Sequence, residues 1–151
     1  MRYQRNPYSC GAAAVVNALR CYGRRVPEVR IQAAGGTTPE EGTGEQGIMT
    51  ALRAHGCGAA NFETRSVTEA MSYLEGSMEE GVPVIICTQQ LQHWVTVIGM
   101  VGTRFVVVDP SNSRRNRSEN GVHVLPRFVL RRSWMSRDGR YFGIRCLPRT
   151  G

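Results

Sequence analysis

Lysine is absent from this chain. All 19 basic residues are arginine, set against 12 acidic ones, for a formal net charge of +7. Uniform arginine use is most simply a coding bias and identifies no partner. No apolar run approaches the ~20 residues a membrane helix needs, so no membrane partner is expected. The five cysteines, at positions 10, 21, 57, 87 and 146, include no Cys-x-x-Cys pair, which excludes a zinc ribbon and a small disulfide scaffold. His55-Gly56-Cys57 offers two ligands where a closed metal site takes four, so no metal or other cofactor is expected. No apolar targeting segment precedes Gln4, and the expectation is a chain without a signal peptide or a built-in N-terminal propeptide. Unpaired thiols then place it in a reducing cytoplasm. No nucleic-acid motif accompanies the arginines and no aromatics are interleaved with them, so a nucleic-acid partner is not expected.

With 151 residues and 41% hydrophobic content, the chain can bury a core without staples, and residues 1–151 read as a single domain. Gly11 to Tyr22 is helix-compatible and stops at Gly23, and Pro27 to Ala34 is a second helix stopped by Gly35-Gly36. Thr37 to Gly44 reads as a loop that lines a cleft or moves over it. Glu45 to His55 carries an apolar stripe of Ile48, Met49 and Leu52. Ser66-Val67-Thr68-Glu69 has the form of a capping box, opening a helix with Met71, Tyr73 and Leu74. Strands follow at Val82–Thr88, His93–Val101, Arg104–Val108 and Tyr141–Leu147. Helices first and a mostly antiparallel sheet afterwards make an α+β domain.

The chemistry concentrates at three places. Cys10 stands where Asn6, Pro7 and Ser9 end and the first helix begins, so its sulfur lies near unpaired N–H groups that favour a thiolate. Taken alone, such a cysteine is as well read as a small buried hydrophobe. His93 opens one strand and Asp109 closes the next, and a short turn between them brings both to the same end of a hairpin. A carboxylate there can orient an imidazole base. Singly, His93 is a satisfied polar residue and Asp109-Pro110 a turn.

These segments together resemble a known family. Gln4-x5-Cys10-Gly11-x-Ala13, the strand His93-Trp94-Val95-Thr96-Val97-Ile98-Gly99 and the strand end Val106-Val107-Val108-Asp109-Pro110 are similar to the papain-like cysteine peptidases. The nearest branch is that of the bacteriocin-processing, double-glycine leader peptidases and their stand-alone relatives. The resemblance runs from Gln4 to the Phe128–Trp134 region. It implies a papain-like fold, with N-terminal helices packed against a mostly antiparallel sheet, and a peptide or protein substrate. It implies Cys10 as nucleophile, His93 as general base and acid, and Asp109 as the group orienting His93. The Gln4 amide would join the Cys10 N–H in an oxyanion hole. Leader peptidases usually carry Asp where this chain has Ser9, and usually precede a membrane transporter that these residues do not include.

A Cys10 thioester is resolved by water or by an amine, so the residues alone leave hydrolysis, acyl transfer, deamidation and isopeptide cleavage open. The rival from another class is a non-catalytic binding module that grips an acidic partner with Arg114-Arg115-Asn116-Arg117, aided by Arg131-Arg132. That segment otherwise reads as a solvated loop. A pure binder has no physical need for Gln4, Cys10, His93 and Asp109 together, which favours the enzyme.

Overall fold

The computed structural model describes residues 1–88, 93–136 and 138–148. Helix α1 (Cys10–Arg20) runs through the protein with every residue from Gly11 to Leu19 buried, as expected of a helix that is apolar on nearly all sides. Its alanines let it approach the sheet closely, and the Thr96 hydroxyl donates to the Ala14 carbonyl at 3.0 Å. Helices α2 (Glu28–Gly35) and α3 (Glu45–Ala54) pack against α1. After α2, Gly36 adopts φ +64°, the left-handed turn that the Gly35-Gly36 stop requires.

The strands are β1 (Gly58–Thr64), β2 (Val84–Thr88), β3 (His93–Val101), β4 (Arg104–Val108), β5 (Val122–Leu125) and β6 (Tyr141–Leu147). They form one antiparallel sheet in the order β1-β6-β2-β3-β4-β5. The remaining helices are α4 (Val67–Glu79), α5 (Arg114–Ser118) and α6 (Arg127–Trp134). Alternation along β2 splits the core in two. Ile85 joins Ile144, Cys146 and the α1–α3 residues, while Val84 and Ile86 join Val95, Val97, Phe105, Leu74, Leu130 and Trp134. The sheet is thus covered on both faces, and all five residues of β2 are buried. Fully burying one such aliphatic side chain contributes ~1.5–3 kcal/mol.

The expected α+β arrangement of N-terminal helices on an antiparallel sheet is present, with three additions, β1, β5 and α6. Strand β1 precedes α4, so a strand sits among the early helices, and α6 covers the second sheet face late in the chain. The Ser66 box is half formed. The Ser66 hydroxyl accepts from the Glu69 N–H at 3.2 Å, but the Glu69 carboxylate takes the Thr64 hydroxyl and Thr64 takes the Ser66 N–H. The segment Arg114–Ser118, expected as a loop, is a short helix capped by the Ser113 hydroxyl on the Asn116 N–H. The described residues contain no helix long and apolar enough to cross a membrane.

Candidate active site

The first turn of α1 begins at Cys10 itself. Ser9 occupies the cap position, but its hydroxyl is spent on Asn6, accepting from the Asn6 N–H and donating to the Asn6 carbonyl, each at 3.1 Å. The helix start is therefore left to the cysteine sulfur. Burial pushes the Cys10 thiol up, but hydrogen bonding to His93 and to the backbone N–H groups of Trp94 and Gly11 outweighs it, and the net effect is downward. The other four thiols go the opposite way: burial raises Cys21, Cys57 and Cys146, and raises Cys87 to about 12. Cys10 alone of the five is biased toward the thiolate.

His93 opens β3 and Asp109 directly follows β4, and the pairing of the two strands brings them to one end of the sheet, beside the start of α1. Nε2 of His93 lies 2.6 Å from Oδ1 of Asp109, leaving Nδ1 for Cys10. Burial would lower the His93 pKa. Hydrogen bonds to Asp109 and Cys10, and the charge of both, raise it instead to about 9. Burial would likewise raise Asp109, but the His93 bond and the Ser111 N–H, 2.8 Å from Oδ1, pull it below its ordinary range. Each group thus favours the charged form of its neighbour along the thiol–imidazole–carboxylate row.

Gln4 lies on a stapled N-terminal segment. Asn17, a lone buried amide on the apolar helix, accepts from the Arg2 N–H at 2.6 Å and donates to the Arg2 carbonyl at 3.1 Å. Two residues on, the Gln4 N–H donates to the Pro110 carbonyl at 2.8 Å, tying this segment to the Asp109 loop. The Gln4 side-chain Nε2 donates to the Asn6 carbonyl at 2.9 Å and to Pro7 at 3.4 Å, while its Oε1 is buried without a partner among the described residues.

Gly11 is closely packed. A Cβ there would stand 3.0 Å from Thr43 Cβ and 3.2 Å from both the Thr43 carbonyl oxygen and Trp94 Cδ1. In the Thr37–Gly44 loop, expected as a cleft wall or a moving cover, Pro39 to Glu41 are exposed and the Thr43 end is packed. Thr43 is buried, its hydroxyl meets that of Thr37 at 2.5 Å, and Thr38 bridges Gly42. A cavity of about 240 Å³ opens beside Trp94, with Cys87 and Phe142 in its apolar wall and Glu45, Glu63 and Arg140 among its polar lining. On the other side, His93 and Asp109 line a wider groove of about 510 Å³.

The structure brings together Cys10, His93 and Asp109, and ties the Gln4 backbone to the Asp109 loop at Pro110. His55 caps the end of α3, far along the chain from these elements, and Cys57 donates to the Leu147 carbonyl at 3.0 Å as part of the packing. The arginine cluster is less detached than a solvated loop. Arg115 lines the groove with His93, and Arg117 donates to Asn112 and lies over the Tyr3 ring. Sequence reasoning passed over Asn17 and Asn116. The first carries a readable signal, one amide within Ala12–Leu19. The second, set among arginines, carries none beyond its place three residues after the capping Ser113.

Comparison with known proteins agrees with this geometry. No curated protein sequence matches the chain. The peptidase domain of Streptococcus ComA, a bifunctional ABC transporter of a quorum-sensing pathway, superposes with a TM-score of 0.71 at 18% identity, covering 97% of this chain and 96% of that one. A double-glycine motif protease from an AMS/PCAT transporter, solved with its leader peptide, gives 0.68 at 22% identity, covering 95% and 89%. A C39-like peptidase from Bacillus anthracis gives 0.69 at 16% identity, covering 100% and 96%. Residues 1–123 match the Peptidase C39 family. The chain belongs to that family of cysteine peptidases.

Proposed function

We propose that residues 1–151 form one catalytic domain that hydrolyses peptide bonds through a thioester on Cys10, acting on leader-type peptides that end in a double glycine. The observation that carries this reading is the row itself: a thiol at the start of a buried helix, lowered by an imidazole whose far nitrogen is held by a carboxylate at 2.6 Å. The Cys10 thiolate attacks the scissile carbonyl carbon, and the carbonyl pair moves onto oxygen. The Cys10 N–H and the Gln4 amide stabilise that oxyanion, Gln4 giving up its long contact to Pro7 in doing so. As the C–N bond breaks, the His93 imidazolium passes its proton to the leaving amine. Water then attacks the thioester, His93 takes its proton, and the departing acid restores thiolate and imidazolium.

Two features support the substrate class. The apolar side of the neighbouring cavity suits an apolar substrate side chain. The solved double-glycine protease with its leader peptide is a structural relative of the right kind. Five free thiols suit a reducing cytoplasm. The test is incubation with a synthetic leader peptide carrying Gly-Gly, and with its Ala-Ala counterpart, read by mass spectrometry. Cleavage after the second glycine only, lost in Cys10→Ala, is expected. Indifference to the glycines overturns the substrate class, and cleavage by Cys10→Ala overturns the mechanism.

A further inference from the structure

We propose that Asn116 and His123 form a positioning network that fixes Asp109, and through it the ring of His93, with His123 acting as a hydrogen-bond donor from Nε2. This rests on the reading of Cys10, His93 and Asp109 given above. Asn116 is only 5% exposed, although arginines flank it on a five-residue helix. Its Nδ2 donates to the Asp109 carbonyl at 2.8 Å and to the Ser111 carbonyl at 2.6 Å. Two carbonyl oxygens can be faced only by the NH2 end of an amide, so the orientation of Asn116 is fixed. Its oxygen must then point at Nε2 of His123, 2.7 Å away. An amide oxygen only accepts, so Nε2 carries the hydrogen.

The other ring nitrogen, Nδ1, lies 2.9 Å from the Glu119 carboxylate, which as an anion also only accepts. A ring with hydrogen on both nitrogens satisfies both contacts. A neutral ring with Nε2–H keeps the Asn116 bond and turns a lone pair toward Glu119. The charged and titratable groups around His123 are Glu119 and Arg115 from α5 and its end, Asp109 after β4, and His93 on β3.

The network leaves Asp109 little freedom. Its N–H donates to the Gly121 carbonyl at 2.8 Å, its carbonyl is held by Asn116, and its carboxylate accepts from Ser111 and His93. Gly121 in turn donates to the Asn116 carbonyl at 2.9 Å, closing a ring of contacts behind the carboxylate. Loss of the His123 donor strands a buried amide oxygen, and Asn116 must swing or rehydrate. Either movement shifts Asp109, and small displacements of this kind cost up to ~10²-fold in rate.

The test compares His123→Gln, which keeps an N–H near the Nε2 position, with His123→Phe, which keeps the ring and loses the donor. Asn116→Asp removes both donors to the Asp109 and Ser111 carbonyls. The rate of Cys10 alkylation by iodoacetamide is followed against pH, alongside the melting temperature. Alkylation needs no peptide substrate, so it reads His93 orientation through the thiolate. The expected result is that His123→Phe and Asn116→Asp move the pH midpoint of reactivity up by about one unit and slow labelling at pH 6 about tenfold. His123→Gln should stay within about twofold of the unaltered protein. Equal behaviour of the Phe and Gln variants, or a lowered melting temperature with an unmoved midpoint, overturns the network while leaving the triad standing. An unaltered protein whose Cys10 shows no elevated reactivity at pH 6 overturns the triad, and the network with it.

Discussion

Two histidine–carboxylate pairs lie along the same groove, and the proposed mechanism uses only one of them. His93 meets Asp109 at 2.6 Å, with the two side chains 15% and 23% exposed; His123 meets Glu119 at 2.9 Å, at 23% and 49%. The distances alone do not separate them. The difference lies at the other nitrogen: a thiol at a helix start for His93, a neutral amide for His123. Charge on His93 is returned by a second ionisable partner, and its pKa rises to about 9. The carboxylate that meets His123 is half in water, where ion pairs contribute little. A histidine beside an acid is therefore common material, and its role is set by what the second nitrogen faces.

Cys10→Ala should break the comparison most completely. It leaves His93 with a carboxylate and nothing to activate, and peptide turnover should fall by ~10⁶-fold, below detection, while the melting temperature changes little. Asp109→Asn should lower kcat by up to ~10⁴-fold by favouring the wrong His93 tautomer, measured at saturating peptide. Gln4→Ala should lower kcat by ~10²–10³-fold with KM nearly unchanged if its amide serves the oxyanion; a change in KM alone would remove it from the hole.

The pH profile sharpens the contrast further. His93 is raised from its ordinary ~6.5 to about 9, so the stability it contributes is present in full below the lower value and is lost as pH rises through about 9. Asp109 is depressed, so its contribution is present above the unfolded value and is lost as pH falls through the folded one. Activity should rise as Cys10 ionises below the ordinary thiol range and fall near pH 9 with the imidazolium. Asp109→Asn should bring that alkaline limb to lower pH. Glu119→Gln is expected to have the smallest effect, a loss of no more than about fivefold in kcat, consistent with a half-exposed pair.

Local rules place Cys10 at a helix start and His93 and Asp109 at one hairpin end, while their roles, and that of Gln4, were legible through the family resemblance. Asn6, Pro7 and Ser9 stop the chain just before an apolar helix, and the expected Gly11–Tyr22 became Cys10–Arg20. Valine-rich runs ending at Asp109 and starting at His93 announce a hairpin, and the register placed both at one end. What sequence hid depends on distant partners. Strand β1, Gly-Ala-Ala-Asn-Phe-Glu-Thr, has little strand propensity of its own and is held by seven paired positions on β6. Strand β5 is four residues long and exists beside β4. Asn116 looks like one more polar residue in a charged run until the fold folds α5 over the Asp109 carbonyl.

The account stands on the ionisation of one thiol among five, and competitive alkylation measures that directly. The native protein is treated briefly with iodoacetamide at pH 6, and the five cysteine positions are quantified by peptide mapping. Cys21 is the discriminating control, because the residue is exposed while its thiol, donating back to the Asn17 carbonyl at 3.6 Å, is partly covered and raised. The prediction is that half-buried Cys10 reacts first and Cys21 lags well behind, since ionisation rather than access sets the order. Labelling led by Cys21, Cys57 or Cys146 would contradict the claim that His93 and Asp109 hold Cys10 as the nucleophile.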